Sequence, residues 1–207
     1  MVVQELKPSK RMEGRWLAVM EDGSILRLGE GEVIEFALYT GKELSPEEAN
    51  SLLASAKRSS WKEKALDLLA RKPQSRMELE RKLREWGARS EDGTAICDRM
   101  EELGYLDDPA YAARVVRHYS AKGFGEKKLR DELYHRGLPR ELWDEALSQA
   151  QDPAETIDLL IAKKLDKKSL DRKELQKVSA ALARRGYSWS DISDALRRYG
   201  AETGENE

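Results

Sequence analysis

The chain has 207 residues, of which 37% are charged, and its formal net charge is −2 at pH 7. This is not the strongly basic balance of a dedicated nucleic-acid-binding protein, although it permits a local basic face. The single cysteine excludes an intramolecular disulfide, and no stretch approaches the ~20 apolar residues of a membrane span. The first residues lack a signal peptide's apolar core, so we expect a cytoplasmic protein that does not associate with membranes.

The first 57 residues are expected to form a small antiparallel sheet followed by a helix. Residues 15–20 and 24–28 flank Asp22-Gly23, a dipeptide typical of hairpin turns. Residues 32–36 supply a third candidate strand. The motif Ser-Pro-Glu-Glu at 45–48 is a capping box, and it predicts a helix that ends near Lys57.

The rest of the chain repeats a helical pattern that ends in glycine. The spacing Leu-x3-Leu-x3-Gly occurs twice, and a third copy begins with valine. The glycines are 50 and 49 residues apart, and each predicts a helix that stops at a left-handed residue. The three copies are Leu79/Leu83/Gly87, Leu129/Leu133/Gly137 and Val178/Leu182/Gly186.

A second motif follows nearly the same period. Asp-Pro-Ala at 108–110 and at 152–154 predicts an N-cap aspartate before a first-turn proline, and Ser60, Ser75 and Ser188 mark further helix starts. One such unit has too little apolar surface to fold alone, so neighbouring units must stack. We therefore predict an N-terminal segment at 1–57, three-helix repeats at 58–107, 108–151 and 152–200, and an acidic disordered tail at 201–207.

No arrangement of residues indicates catalysis, a metal or a cofactor. His118 and His135 lie on different predicted helices, away from any histidine–cysteine cluster. Asp107 and Asp108 form a carboxylate pair, but capping the next helix is a sufficient role for Asp108. The Gly-Phe-Gly motif at 123–125 follows no strand and lacks the lysine of a phosphate loop. We expect a protein that is not an enzyme.

The tryptophans favour packing over ligand binding. The five of them recur about once per group of elements, and base stacking on a single nucleic-acid strand is the alternative. Trp86, beside Gly87 at a helix end, is the best candidate for partial exposure. Cys97 falls within a helical apolar pattern and is expected to be a small buried side chain.

Basic residues are the candidate partner-binding sites. Residues 1–60 carry 8 basic and 10 acidic side chains, whereas residues 152–200 carry 11 and 8. Each basic cluster alone is typical of a solvated helix face, but together they could follow a phosphate backbone or an acidic groove. The candidates are Arg114, Arg117, Lys122, Lys127, Lys128, Arg130, Lys163, Lys164, Lys167, Lys168, Arg184 and Arg185.

Four segments carry a family resemblance. Residues 104–112 read Gly-Tyr-Leu-Asp-Asp-x-x-Tyr-Ala, which is the most specific run. The others are Glu78-Leu79-x3-Leu83-x3-Gly87, Gly123-x-Gly125 with Leu129-x2-Glu132-Leu133-x3-Gly137, and Leu182-x-Arg184-Arg185-Gly186-Tyr187-Ser188. Over about residues 60–199 the chain resembles the RecX family of bacterial recombination regulators.

The resemblance implies a mainly α protein whose tandem three-helix repeats form an elongated, curved array, to which the small N-terminal β segment is added. It also implies a regulator that binds the RecA filament on single-stranded DNA and inhibits its ATPase and strand exchange. Such a protein would lie in the filament groove, block extension or promote disassembly, and so modulate recombination, DNA repair and the SOS response. We expect a monomer with at most weak direct DNA contact.

Two other functions remain open at this stage. Three-helix units also resemble helix-turn-helix modules, which would make the chain a DNA-binding transcriptional regulator. A recognition helix should present Arg, Asn or Gln near its start, but the third helices begin Ser-Glu-Asp, Pro-Arg-Glu and Trp-Ser-Asp, and the acidic residues disfavour DNA. A general helical scaffold for another protein is the second alternative.

Overall fold

The computed structural model describes residues 1–10, 12–164 and 172–204. In this part of the chain, three β-strands precede ten α-helices. The strands are β1 Val3–Pro8, β2 Arg15–Met20 and β3 Ile25–Gly29. The helices are α1 Glu30–Glu35, α2 Pro46–Arg71, α3 Arg76–Glu85, α4 Ser90–Glu102, α5 Asp108–Ser120, α6 Glu126–His135, α7 Trp143–Leu147, α8 Pro153–Lys164, α9 Arg172–Arg184 and α10 Trp189–Gly204, with a 3-10 turn at Arg140–Leu142 before α7.

The chain divides into two compact units. The first comprises Met1–Pro73 and Leu79–Tyr105, and the second comprises Gln74–Glu78 and Leu106–Glu207. The first turn of α3 therefore belongs to the second unit, and the remainder of that helix belongs to the first.

The N-terminal sheet has the order β1-β2-β3, and both pairings are antiparallel. The predicted hairpin turn is confirmed, because the Asp22 carboxylate accepts a hydrogen bond from the Ser24 amide at 2.9 Å. Strand β1 was not predicted from the sequence, since its residues alternate only weakly between apolar and polar. The sheet buries Ala18 and Met20 against Leu52 of α2, which gives the three strands the partner that a small sheet needs.

The third predicted strand, at 32–36, is wrong, because this segment lies in α1 and its C-cap. Glu32 is 8% exposed and folds back to accept a hydrogen bond from the Gly29 amide at 2.7 Å, which closes the first turn of the helix. The Ser55 and Ser59 hydroxyls of α2 donate to the other oxygen of the same carboxylate. A long-range contact therefore stabilises a short helix where the local pattern also fitted a strand.

The predicted break between Lys57 and Ser60 is also wrong, because α2 continues from Pro46 to Arg71. The capping box of Ser45 and Glu48 does start this helix, as predicted. Ser60 is not needed as a cap, because nothing between residues 57 and 60 interrupts the backbone hydrogen bonds. The second half of α2 thus serves as the first helix of the first three-helix group.

The three-helix organisation is confirmed. The end of α2 precedes α3 and α4, then α5, α6 and α7 follow, and α8, α9 and α10 form the last group. Gly87, Gly137 and Gly186 have φ angles of +88°, +64° and +91°, so the three predicted left-handed caps are present. At each cap the next amide bonds back to a carbonyl in the last turn, which satisfies groups that a helix end leaves open.

Asp107, and not Asp108, caps α5. The Asp107 carboxylate accepts a hydrogen bond from the Ala110 amide at 2.8 Å, which places Pro109 one position later than expected. The Asp108 carboxylate instead accepts a hydrogen bond from the Arg76 amide at 2.9 Å, in the first turn of α3. Asp152 behaves as predicted, since its carboxylate accepts from the Ala154 amide at the start of α8.

A charged network anchors the core of the second three-helix group. Arg136 donates to the Glu132 carboxylate at 2.5 Å and to the Tyr119 hydroxyl at 3.3 Å. Burial opposes the charge on Arg136, but these hydrogen bonds outweigh burial and raise the pKa of the guanidinium. The Ser75 hydroxyl donates to the carbonyl of Arg136, so the first turn of α3 is attached to the same network.

The last helix extends further than the sequence indicated. The predicted disordered tail begins at residue 201, but α10 continues to Gly204. A single glycine costs a helix only about 1 kcal/mol relative to alanine, so Gly200 alone does not end it. Residues 205–207 of the predicted tail lie outside the described residues.

Candidate partner-binding surface

The second and third three-helix groups meet at a close crossing of two backbones. The Gly125 amide donates to the carbonyl of Arg185 at 3.0 Å, and the Lys127 amide donates to the carbonyl of Gly186 at 3.1 Å. A Cβ atom on Gly125 would lie 2.5 Å from the Tyr187 nitrogen, so this position accepts no side chain. We call residues 122–128 and 184–187 the repeat junction.

Arg185 holds this repeat junction together. Its guanidinium donates to the carbonyls of Lys122 and Gly123, each at 3.1 Å, and lies 5.7 Å from the centre of the Phe124 ring. Arg185 is one of the residues that the sequence predicted to bind a partner. Its Nη1 atom donates both hydrogen bonds within the chain, and charge-assisted hydrogen bonds of this type are among the stronger ones.

Three other basic residues of the repeat junction are exposed. They are Lys122 after α5, Lys127 in the first turn of α6, and Arg184 at the end of α9. None has a carboxylate within 4.0 Å in the part of the chain that the structure describes. We call these three residues the junction cations, because they lie in the repeat junction and come from two different repeats.

Lys128 and Arg130 differ from the junction cations, because carboxylates on the same unit offset their charge. Lys128 lies 3.2 Å from Glu132, and Arg130 lies 2.7 Å from Glu126. Exposed pairs of this kind contribute little to stability. They nevertheless reduce the positive field that a partner would meet, so the predicted run at 127–130 is not uniformly basic.

The remaining candidates are distributed over other elements. Arg114 and Arg117 are exposed on α5, one turn apart, and Lys163 is exposed on α8. Lys164 is the last residue of α8, and Lys167 and Lys168 lie outside the described residues.

The tryptophans separate into packed and exposed residues. Trp61 donates its indole hydrogen to the carbonyl of Trp86 at 3.1 Å, and Lys64 lies 5.7 Å from the Trp86 ring centre. Trp189 is 69% exposed at the start of α10, three residues after Gly186. Trp86 is partly exposed, as the sequence predicted, but Trp189 is more exposed. The sequence position of Trp189 could have indicated its exposure. It directly follows the cap residue Ser188, and the buried face of α10 begins only at Ile192.

The acidic starts of the third helices are present in the structure. Glu91 and Asp92 lie in the first turn of α4, Asp144 and Glu145 in that of α7, and Asp191 in that of α10. These charges oppose insertion of the helix starts into DNA. Among the described residues, no group of three His, Cys, Asp or Glu side chains is placed to hold a metal ion. In the same part of the chain, no helix has both the length and the apolar character to cross a membrane.

The tandem three-helix groups define the chain as a helical-repeat protein. Three sequence models of RecX domains match the chain: the first three-helix domain at residues 62–100, the second at 107–147 and the third at 150–196. A regulatory protein RecX from Pseudomonas fluorescens is 37% identical over 140 residues, which are 67% of this chain and 90% of that protein. Another from Vibrio parahaemolyticus is 37% identical over 141 residues, 66% of this chain and 90% of its own.

Two solved structures have the same fold. The crystal structure of a regulatory protein RecX superimposes with a TM-score of 0.75 at 24% identity, covering 95% of this chain and 98% of that one. RecX from Lactobacillus salivarius gives 0.64 at 23% identity, covering 69% and 96%. The chain belongs to the RecX family, and its relatives are named as regulatory proteins.

Proposed function

We propose that this protein binds the RecA filament on single-stranded DNA, as a monomer, and inhibits its ATPase and strand exchange. Membership of the RecX family supports the choice of target. The observation that carries the proposal is the repeat junction, where Lys122, Lys127 and Arg184 present three exposed cations that form no ion pair with any described residue. A filament offers both phosphates and protein carboxylates as counterparts for such a surface.

The rigidity of the repeat junction favours this role. Two backbone hydrogen bonds and the Arg185 guanidinium hold the two repeats at the crossing. Cations fixed on such a scaffold lose less conformational freedom on binding than the same residues on a flexible loop would. Positive charge also speeds the encounter with a negatively charged partner and makes it sensitive to salt.

The proposed action is regulatory and not catalytic. Inhibition would follow from occupying filament surface that RecA needs, so the mechanism requires neither a cofactor nor a reacting side chain. The work would take place in the cytoplasm, where RecA assembles on chromosomal DNA. Purified protein should therefore lack ATPase and nuclease activity, and an activity that co-purifies with it through every step would contradict this part of the proposal.

Co-sedimentation tests the proposal directly. RecA, single-stranded DNA and a slowly hydrolysed ATP analogue are mixed with the protein, and filaments are pelleted. We expect the protein to pellet with filaments, in amounts that fall as salt increases, and to remain in solution with DNA alone. Absence from the filament pellet at low salt would overturn the proposal. Equal pelleting with DNA alone would show that the target is the nucleic acid.

A further inference from the structure

A pocket of about 280 Å³ lies between the second and third three-helix groups. It is bounded by the α5–α6 connection, by residues 150–153, and by the starts of α8 and α10. Phe124, Leu129 and Leu147 provide apolar surface within it. The junction cations do not line this pocket, and the function proposed above makes no use of it.

The charged groups of the pocket are carboxylates. Glu126 is paired with Arg130 at 2.7 Å, but Asp152 and Asp191 form no ion pair within 4.0 Å in the described part of the chain. The Asp152 carboxylate accepts a hydrogen bond from the Ala154 amide, and the Asp191 carboxylate accepts one from the Ser188 hydroxyl. Two carboxylates without an ion pair among the described residues therefore lie beside an apolar wall.

Arg185 does not neutralise these two carboxylates. Its guanidinium stacks on the Phe124 ring, but its hydrogen bonds go to the carbonyls of Lys122 and Gly123. The pocket thus combines apolar surface with two carboxylates that have no ion pair among the described residues. Such a combination is complementary to a cation that also has an apolar part.

Tyr187 supplies the second, independent observation. It lines the pocket and is 7% exposed, and its hydroxyl is the one buried side-chain nitrogen or oxygen atom with no hydrogen-bond partner in the described part of the chain. Burial raises the pKa of this phenol, Arg185 acts in the opposite direction, and Asp191 adds to the increase. A buried hydroxyl without a partner is costly, and a bound ligand would satisfy it.

We propose that this pocket binds a small organic cation that has an apolar body. The apolar body would lie against Phe124 and Leu147, and the charged head would meet the carboxylates of Asp152 and Asp191. The Tyr187 hydroxyl can accept one of the cation's hydrogen bonds. The volume is at the lower end of ligand pockets, which suits one ring with a short amine chain. A free amine and the lysine or arginine side chain of a partner protein share this chemistry.

Three probes of similar shape test the requirement for positive charge. Full-length protein labelled with ¹⁵N is titrated with 2-phenylethylamine, 2-phenylethanol or 3-phenylpropionate, and the amides of Gly125, Thr156 and Tyr187 are followed by NMR. We expect saturable shifts with the amine, at least tenfold weaker binding of the alcohol, and no binding of the carboxylate. Equal affinity for all three probes, or no saturable shift with the amine, would overturn the proposal.

Paired variants test the residues. Asp152→Asn with Asp191→Asn retains oxygen acceptors for the caps, and it should weaken amine binding at least tenfold while leaving the alcohol unchanged. The matched control is Asp131→Asn with Asp144→Asn, which removes two charges of the second three-helix group outside the pocket and should bind the amine normally. Unchanged amine affinity in the first pair would contradict the proposal.

A further pair of probes identifies the source of the cation. N-acetyl-arginine amide and N-acetyl-lysine amide mimic side chains of a partner protein. Tighter binding of either one than of phenylethylamine would assign the pocket to a partner's side chain, and weaker binding would assign it to a free amine. RecA is absent from every titration, so the outcome is independent of the function proposed above.

Discussion

Gly125 and Gly186 lie at a backbone crossing so close that neither position has room for a side chain. A Cβ atom on Gly125 would lie 2.6 Å from the carbonyl carbon of Gly186, and one on Gly186 would lie 2.5 Å from the Lys128 nitrogen. The atoms concerned are backbone atoms, which cannot move aside as the end of a side chain can. The geometry of the repeat junction therefore depends on both glycines.

We predict that Gly186→Ala is more destabilising than Gly87→Ala. Both glycines end a helix with nearly the same left-handed φ, +91° and +88°, so both variants carry a backbone penalty of about 1–2 kcal/mol. Nothing lies within 4 Å of a Cβ on Gly87, whereas Gly186 faces backbone. Overpacking should add about 1–3 kcal/mol to the Gly186 variant alone, measured by urea unfolding.

The comparison between the two variants also has a clear negative outcome. If Gly186→Ala and Gly87→Ala reduce the free energy of unfolding equally, the backbone crossing is not as close as the structure indicates. The control is Gly41→Ala, a left-handed position outside any helix end, where nothing lies within 4 Å of the added Cβ.

Neighbouring arginines provide a second prediction. Arg185→Ala removes the donor to the carbonyls of Lys122 and Gly123, and it should lower the free energy of unfolding by about 1.5–3 kcal/mol. Arg184→Ala removes an exposed side chain with no ion pair in the described residues, so its effect should stay within about 0.5 kcal/mol. Similar effects in chemical denaturation would show that Arg185 does not anchor the repeat junction.

Sequence and structure agree where the information is local. The caps at Gly137 and Ser75 depend on a few adjacent residues, and their spacing predicted them. Arg184 and Arg185 are indistinguishable in the sequence, because only the approach of a distant segment gives the second one its acceptors. The sequence thus predicted candidate basic residues. It could not predict which of them form hydrogen bonds within the chain and which remain exposed to a partner.

The N-terminus shows the same limit. The β-branched and aromatic residues Val33, Ile34 and Phe36 fit a strand, yet the buried Glu32 makes its decisive contacts with Gly29 and with the serines of α2. The same holds for Asp107 and Asp108, which stand one after the other before Pro109. Asp108 accepts a hydrogen bond from the distant Arg76 amide, and Asp107 caps the helix, so the cap could not be assigned from the local sequence.

The assignment of Asp107 as the N-cap of α5 gives a third prediction. Asp107→Ala should reduce stability by about 1 kcal/mol through loss of the cap. It should also increase hydrogen exchange at the Ala110 amide, which loses its acceptor. Asp108→Ala should leave the exchange of Ala110 unchanged and increase that of Arg76. Increased exchange at Ala110 in the Asp108 variant would return the capping role to Asp108.

A fourth prediction concerns acid stability. Burial tends to raise the pKa of Glu132, but hydrogen bonds from Arg136, Lys128 and Tyr119 outweigh burial and hold the pKa below the ordinary value of 4.5. A carboxyl with a lowered folded-state pKa contributes stability above its unfolded pKa, and that contribution is lost as pH falls through the folded-state pKa. Glu132→Gln should therefore be less stable than the parent at pH 7.

The pH dependence of stability tests whether the charge of Glu132 causes the deficit of the Glu132→Gln variant. The stability difference between the parent and Glu132→Gln should shrink as pH falls below about 4.5. Glu145→Gln, on the exposed face of α7, is the control and should follow the parent across the range. A Glu132→Gln deficit that stays constant down to pH 3 would show that charge on this carboxyl is not responsible.

The most direct test of the claim that the junction cations bind the RecA filament is to reverse their charge. We expect the triple variant to fold normally, because all three side chains are exposed, and to need at least tenfold more protein for half-inhibition of RecA's DNA-dependent ATPase, a loss of about 1.4 kcal/mol of binding. Lys128 and Arg130 are left unchanged because they are paired. The substitutions are Lys122→Glu, Lys127→Glu and Arg184→Glu.

A matched control on the other compact unit completes this measurement. Lys57, Arg58 and Lys62 are equally exposed on α2, and their reversal to Glu should alter half-inhibition by less than about twofold, since no contact is proposed there. The account predicts lost inhibition only in the junction variant, with unchanged helicity by circular dichroism. Undiminished inhibition by a folded junction variant would contradict it.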